Sequence, residues 1–302
     1  MGFIGRAITD ILYSEGRHKI VCVDLNLRED YMEAHPDRER LTFIKADLTN
    51  SNDYKKLGDE FDEVYVMAAI VGVGNVLKSP STVVETNTKI ILNALNWMKD
   101  SKSLKMLFAS TSECYVGSVE RFGYAVPTDE LVPLCVEDIT HPRFTYAVTK
   151  MLGESAAFAF SADNEFEVTV VRYHNVYGPD MGFNHIIPHL NQRFLKEESP
   201  FKVYGAEQTR AFCYIDDAAR ATTLLMESQQ ANGEIFHVGN PEEISIEKLI
   251  KYVGGLYRYT GSYVKEQTFP GSVSRRCPDI TKIAKYVDYS PTVDWKEGVQ
   301  KT

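Results

Sequence analysis

Apolar residues recur along this chain in two rhythms that alternate. Short, nearly continuous runs read as buried strands: KIVCVDL ending at Asp24, FIKADL at 43–48, EVYVMAA at 63–69, LKMLFAST at 104–111 and EVTVVRY at 167–173. Between them, the residues after Gly5, the stretch 82–99 and the stretch beginning at Thr145 carry the helical period. Strands separated by helices at this spacing predict an α/β, doubly wound parallel sheet with helices on both faces. Beyond about Gly178 the rhythm loosens and prolines recur at Pro179, Pro188 and Pro200. RAFCYIDDAARATTLLMES then returns to strand and helix, and EIFHVGN is a further short strand. We therefore expect a dinucleotide-binding domain over 1–178 and a smaller, intermixed substrate lobe over 179–302, with some strands returning to the main domain. The tail after Cys277 reads as a helix followed by a loop.

The opening, MGFIGRAITDIL, is a glycine turn running into an amphipathic helix, with Asp24 about twenty residues after the glycines. This is the second half of a Rossmann unit. Gly2 and Gly5 let backbone approach a pyrophosphate, the helix N-terminus favours the anion, and Asp24 takes the ribose hydroxyls. An acidic residue there repels a 2′-phosphate, which favours NAD over NADP. Asp47 is placed to meet an adenine amino group, and Ala68 and Ala69 are small enough for a cofactor to lie against backbone. The fingerprint also calls for a strand and a first glycine ahead of Gly2, in the centre of the sheet. The expectation is that Met1 is an internal methionine and that the natural chain starts about ten residues earlier.

Within TYAVTKMLGE, Tyr146 and Lys150 are four residues apart, on one face of a helix and one turn from each other. An ammonium beside a phenol favours the phenolate and lowers its pKa from about 10. Such a tyrosine can take a proton from a sugar hydroxyl while hydride leaves the same carbon.

Composition narrows the setting. The chain has 302 residues and a formal charge of -9, which excludes a nucleic-acid partner, because phosphate contacts need a basic surface. No run of about 18 apolar residues is present, so no membrane span is expected, and the start lacks the pattern of a signal peptide. The five cysteines are scattered without a C-x-x-C pair and read as reduced thiols of a cytoplasmic protein. His185 and His189 have the spacing of a metal pair, but Pro188 between them disfavours the helix interior that spacing needs, so no metal is expected.

Taken in order, GFIG, Asp24, ADL at 46–48, Ala68–Ala69, Asn87, STSECY at 110–115, Tyr146-x-x-x-Lys150, RYHNVYGP at 172–179, Gln208-Thr209-Arg210, YIDD at 214–217 and RRCPDITK at 275–282 resemble the extended short-chain dehydrogenase/reductase family. The likeness is to its NAD-dependent nucleotide-sugar epimerases, dehydratases and decarboxylases, and it covers almost the whole chain. It implies cofactor contacts from Gly2, Phe3, Ile4, Gly5, Asp24, Asp47, Leu48, Ala68, Ala69, Asn87, Tyr146, Lys150 and Tyr173. It implies Tyr146 as the base on the sugar 4-hydroxyl, Lys150 on the nicotinamide ribose, and Thr111 bonded to the same sugar oxygen. Asn175, Arg210 and Arg276 are implied to contact the nucleotide-diphosphate part of the substrate. A homodimer through the helices of Asn87 and Tyr146 is implied as well, the downstream face of the latter (Leu152, Ala156, Phe160) being apolar.

The resemblance also bears on the chemistry. Oxidation at C4 gives a 4-ketone whose fate defines each enzyme, and Thr111-Ser112-Glu113 resembles dehydratases and UDP-glucuronate decarboxylases. Glu113 argues against a minimal epimerase and for chemistry with an extra acid or base. RRCPDITK resembles the decarboxylases, whereas RYHNVYGPDMGFNHIIPHL resembles members acting on capsule or lipopolysaccharide sugars. The alternatives are a UDP-glucuronate decarboxylase-like enzyme, a C4-dehydrogenase that releases the ketone, and a non-catalytic NAD-binding scaffold. Val116 departs from the usual tyrosine-glycine pair and leaves the loop at 118–138 open.

Overall fold

The computed structural model describes residues 1–183, 185–268 and 271–302. The first half runs α1 (Phe3–Ser14), β1 (Ile20–Asp24), α2 (Glu29–Ala34), β2 (Leu41–Lys45), β3 (Glu63–Val66), α3 (Val73–Lys78), α4 (Pro80–Asp100), β4 (Lys105–Thr111), α5 (Val116–Phe122), α6 (Thr145–Asp163) and β5 (Glu167–Tyr173). The second half runs β6 (Val176–Tyr177), α7 (Ile186–Leu195), β7 (Phe201–Tyr204), β8 (Thr209–Ala211), β9 (Cys213–Tyr214), α8 (Ile215–Glu227), β10 (Glu234–Val238), β11 (Glu243–Ser245), α9 (Ile246–Leu256), β12 (Tyr263–Glu266), β13 (Arg275–Arg276), α10 (Thr281–Val287) and α11 (Trp295–Lys301).

The apolar runs become parallel ladders, as their lack of a polar face requires. One ladder has the order β10-β5-β4-β3, and β1 and β2 form a second parallel pair. Helix α1 spans both: Ile8 and Leu12 pack with Ile20 of β1, Tyr65 of β3 and Ala219 of α8. On one face of the sheet, Ile91, Leu95 and Met98 of α4 are fully buried against Met106 and Val168. Each such side chain contributes about 1.5–3 kcal/mol on leaving water. On the other face, Ala218, Ala221 and Leu225 of α8 pack on Val171 and Phe236. A separate core formed by α7, α9, α11, β7 and their neighbours, with Ile187, Phe201, Leu249 and Trp295, underlies the second half.

Several local expectations shift. The second strand is residues 41–45 rather than 43–48, so Asp47 and Leu48 lie in the loop beyond it. The third strand stops at Val66, leaving Ala68 and Ala69 in an open loop. The tail is a helix, a loop and then a second helix, because Asp294 caps α11 by accepting from the backbone of Lys296 and Glu297. Pro188 is tolerated because it falls in the first turn of α7, where a missing N–H is no loss. Val116 is buried with Phe144 and Val273, and Gly117 lies so close to the chain opposite that a Cβ would sit 2.8 Å from the Val136 carbonyl carbon. The stretch expected to be a loop over 118–138 instead begins inside α5, which ends at Phe122, and its far end is held down by Gly117 donating its N–H to the Cys135 carbonyl at 2.8 Å.

Candidate active site

The carboxyl ends of the parallel strands converge, and in such sheets that edge is where ligands bind. Thr111 closes β4, Tyr173 closes β5 with Asn175 just beyond, and Asp24 closes β1. Helix α6 lies directly on β4, since a Cβ on Gly153 would meet the Phe108 ring at 2.3 Å. That close approach brings the Tyr146 end of α6 to Thr111, whose hydroxyl accepts from the Glu113 N–H at 3.3 Å and is the neighbour that favours the ionised Tyr146 phenol.

The electrostatics of this pair correct the simplest expectation. Burial pushes the Tyr146 phenol up, neighbouring Cys114 and Glu113 push it the same way, and only the Thr111 hydroxyl opposes them. Lys150 does not offset this, because its ammonium donates to the Ala109 carbonyl at 2.6 Å and stands 5.8 Å from the Tyr146 ring centre. Burial brings Lys150 itself down to about 8, against the opposing pull of Cys114 and Glu154.

Glu113 sits on the tight turn that follows Thr111, beside the buried Ser112. One carboxylate oxygen meets Arg276 at 2.8 Å and the other meets Arg143 at 3.4 Å. Burial alone would raise this carboxyl, but Arg276 and Arg143, with Arg210 behind them, hold it below the usual range. Glu113 is therefore a carboxylate, an acceptor rather than a proton donor. Arg210 donates to the carbonyls of Thr209 at 2.7 Å and Val273 at 2.6 Å. Burial and the neighbouring Arg276 bring it down to about 9. Three guanidiniums thus surround one carboxylate, an excess of positive charge suited to anionic substrate groups. Asn175 occupies the left-handed region with φ 42° and donates to the Ala211 carbonyl at 2.8 Å, joining the end of β5 to the second lobe.

At the other end of the edge, the N-terminus of α1 at Gly2 carries no side-chain cap, and a Cβ there would meet nothing within 4 Å among the described residues. Gly2, Phe3, Ile4 and Gly5 present that backbone; Met67 comes to 4.0 Å of a Cβ built on Gly5, and the next residue, Ala68, is exposed. Asp24 is partly exposed and is met by the Met1 ammonium and by the Asn26 N–H at 3.0 Å. Asp47 accepts from Thr49 at 2.7 Å. These residues fit a dinucleotide. Two residues expected to touch the cofactor have side chains with protein partners. Asn87 is buried and exchanges hydrogen bonds with the Ile70 backbone, at 2.7 and 3.1 Å, so it braces the loop after β3. The Tyr173 hydroxyl bonds Thr222 at 2.7 Å, which turns that side chain into the sheet–α8 core. Arg143 was not anticipated, although its position three residues before Tyr146 at the lead into α6 is a usable signal.

A parallel sheet with Thr111, Tyr146 and Lys150 near its carboxyl edge and a helix N-terminus at Gly2 without a side-chain cap has the layout of a dinucleotide-dependent enzyme. Residues 1–239 match the model of the NAD dependent epimerase/dehydratase family, and the chain belongs to that family. It is 30% identical to UDP-N-acetyl-alpha-D-glucosaminuronate decarboxylase of Bacillus cytotoxicus, over 100% of this chain and 94% of that protein. It is 29% identical to UDP-glucuronate 4-epimerase of Thermodesulfobacterium geofontis, over 100% and 92%. A variant of UDP-glucuronic acid 4-epimerase from Bacillus cereus, solved with UDP-4-deoxy-4-fluoro-glucuronic acid and NAD, superposes with a TM-score of 0.86 at 26% identity, covering 99% of this chain and 94% of that one. NAD is the cofactor of this enzyme family.

Proposed function

We propose that this enzyme oxidises a nucleoside-diphosphate sugar at C4 to a 4-keto intermediate. The observation that carries the reading is Tyr146 at the sheet's carboxyl edge near Thr111, with Lys150 one turn further along α6 and 5.8 Å from the Tyr146 ring centre. NAD, when bound, supplies the hydride acceptor and later the donor. Tyr146 takes the 4-hydroxyl proton as C4 loses hydride, and Thr111 orients that oxygen. Lys150 supplies the positive potential the phenolate needs on leaving the Ala109 carbonyl. Arg210, Arg276 and Asn175 hold the diphosphate, with residues 1–178 binding NAD and 179–302 contributing the substrate lobe.

Arg143, the guanidinium beside Glu113 that the diphosphate does not engage, favours one particular fate of the ketone: a substrate with a carboxylate on the sugar, decarboxylated as its β-keto acid. Both curated relatives named above are uronate enzymes. Incubation with UDP-glucuronate, UDP-N-acetylglucosaminuronate and UDP-glucose separates the outcomes. Carbon dioxide marks decarboxylation, a 4-epimer marks epimerisation, loss of water marks dehydration and net NADH marks release of the ketone. Absence of all four from every substrate, together with a Tyr146→Phe variant that leaves NAD content and cellular phenotype unchanged, supports the scaffold alternative instead.

The product would enter a capsule or lipopolysaccharide sugar. All five cysteines are free, which supports a reducing, cytoplasmic setting, and among the described residues no helix is long and apolar enough to cross a membrane. Val84 of α4 and Leu152 of α6 are exposed beside Ile139, Thr88 and Val148, and this patch supports a homodimer through α4 and α6.

A further inference from the structure

The Glu113–Arg276 pair is enclosed by a ring of buried groups that the reaction does not itself require. On the Glu113 side, Tyr115 ends the same turn, and its hydroxyl lies 3.1 Å from His174 Nε2. His174 follows β5 and is fully buried, its ring centre 4.7 Å from that of His237. His237, on β10, stacks on Tyr115 at 5.4 Å. Its Nδ1 is 3.0 Å from the Thr128 carbonyl, and a carbonyl only accepts, so Nδ1 carries the proton. Thr128 in turn donates its N–H at 2.9 Å to the carbonyl of Cys277, the residue next to Arg276. The contacts run from Glu113 through Tyr115, His174, His237, Thr128 and Cys277 to Arg276, and the ion pair closes them.

We propose that Tyr115, His174 and His237 are positioning residues that hold Glu113 against Arg276 in the geometry the reaction uses. The inference rests on the C4-oxidation reading above. The histidines are unsuited to proton transfer. Burial, His237 and the cations Arg276 and Arg172 keep His174 well below its ordinary value. Burial and Arg172 bring His237 to about 3 against the Thr128 carbonyl. Both shifts favour the neutral ring, and a neutral, hydrogen-bonded ring fixes a neighbour without adding charge to the pair. Three buried nitrogens, His174 Nδ1, His237 Nε2 and Arg276 Nε, have no hydrogen-bond partner among the described residues, so the cluster is not arranged for stability alone.

The test compares Tyr115→Phe, His174→Phe and the double variant with the wild type, using the uronate or hexose substrate that turns over. Each single change strands a buried polar partner and lowers stability, whereas the double change removes both partners and returns the urea midpoint close to wild type. Glu113 is faced by Arg276, Arg143, Arg210 and the Tyr146 phenol. Loosening Arg276 lets burial raise the carboxyl, so the acid limb of the kcat profile moves to higher pH. The expected result is a double variant of recovered midpoint with kcat reduced about tenfold or more, KM changed less, and the acid limb shifted upward by about one unit. A double variant that regains wild-type kcat and pH profile along with its midpoint overturns the positioning role and leaves the C4-oxidation reading intact. A wild type that turns over none of the substrates, with Tyr146→Phe indistinguishable from it, overturns both.

Discussion

Glu154 meets Arg172 at two points, Oε1 accepting from Nε at 3.0 Å and Oε2 from Nη2 at 2.8 Å, with both side chains under 5% exposed. The pair fastens α6 to β5 one turn beyond Lys150, and the Ser110 hydroxyl donates to the same carboxylate. Removing one partner leaves a buried charge unpaired. Glu154→Ala is expected to lose about 3–5 kcal/mol in urea unfolding. A loss under 1 kcal/mol would mean that water reaches Arg172.

Tyr146→Phe removes the proposed proton acceptor and little else. Turnover should fall by about 10²–10⁴-fold while the NAD content of the purified protein stays at the wild-type level. Loss of NAD together with turnover would instead assign Tyr146 chiefly to cofactor binding.

The Lys150 ammonium has a definite sign in the pH dependence of stability. Its folded value is lowered, from 10.5 to about 8, so the unfolded chain binds the extra proton between those limits. Its penalty is present in full below about pH 8 and is relieved as pH rises toward 10.5, a change of roughly 3 kcal/mol. Lys150→Met should therefore be more stable than wild type at pH 7, with the gap closing by pH 10.5. Parallel offsets at both pH values in urea titrations would contradict this.

Gly153 sets how closely α6 approaches the sheet. A methyl group there meets the Phe108 ring, so Gly153→Ala must push the helix outward. We expect about 1–3 kcal/mol of destabilisation and a fall in kcat, because Tyr146 and Lys150 ride on the displaced helix. Unchanged kcat with reduced stability would show that Phe108 yields instead.

Leu152 and Val84 are 45% and 44% exposed on neighbouring helices. Leu152→Glu is expected to convert a dimer into a monomer by light scattering while a single molecule keeps its fold. A wild type that is already monomeric removes this proposal.

The alternation of apolar runs and helical stripes determined the parallel sheet, and β5 is the strand that the run at 167–173 marks out. Such patterns are local: a strand buried on both faces must be apolar throughout, and a helix must carry a stripe. The placement of Tyr146 and Lys150 one turn apart on α6, and of Asp24 at the end of β1, was legible for the same reason, since it depends on spacing within one helix or at one strand end. What the spacing could not decide is which neighbour each group meets after folding. Lys150 turns to the Ala109 carbonyl, Tyr173 to Thr222 and Asn87 to Ile70. Arg143, from the lead into α6, and Arg276, from a strand more than a hundred residues later, close on one Glu113 carboxylate. Only the tertiary structure decided these pairings, because burial removes water as the default partner and leaves each charge and donor to the groups that long-range packing happens to supply.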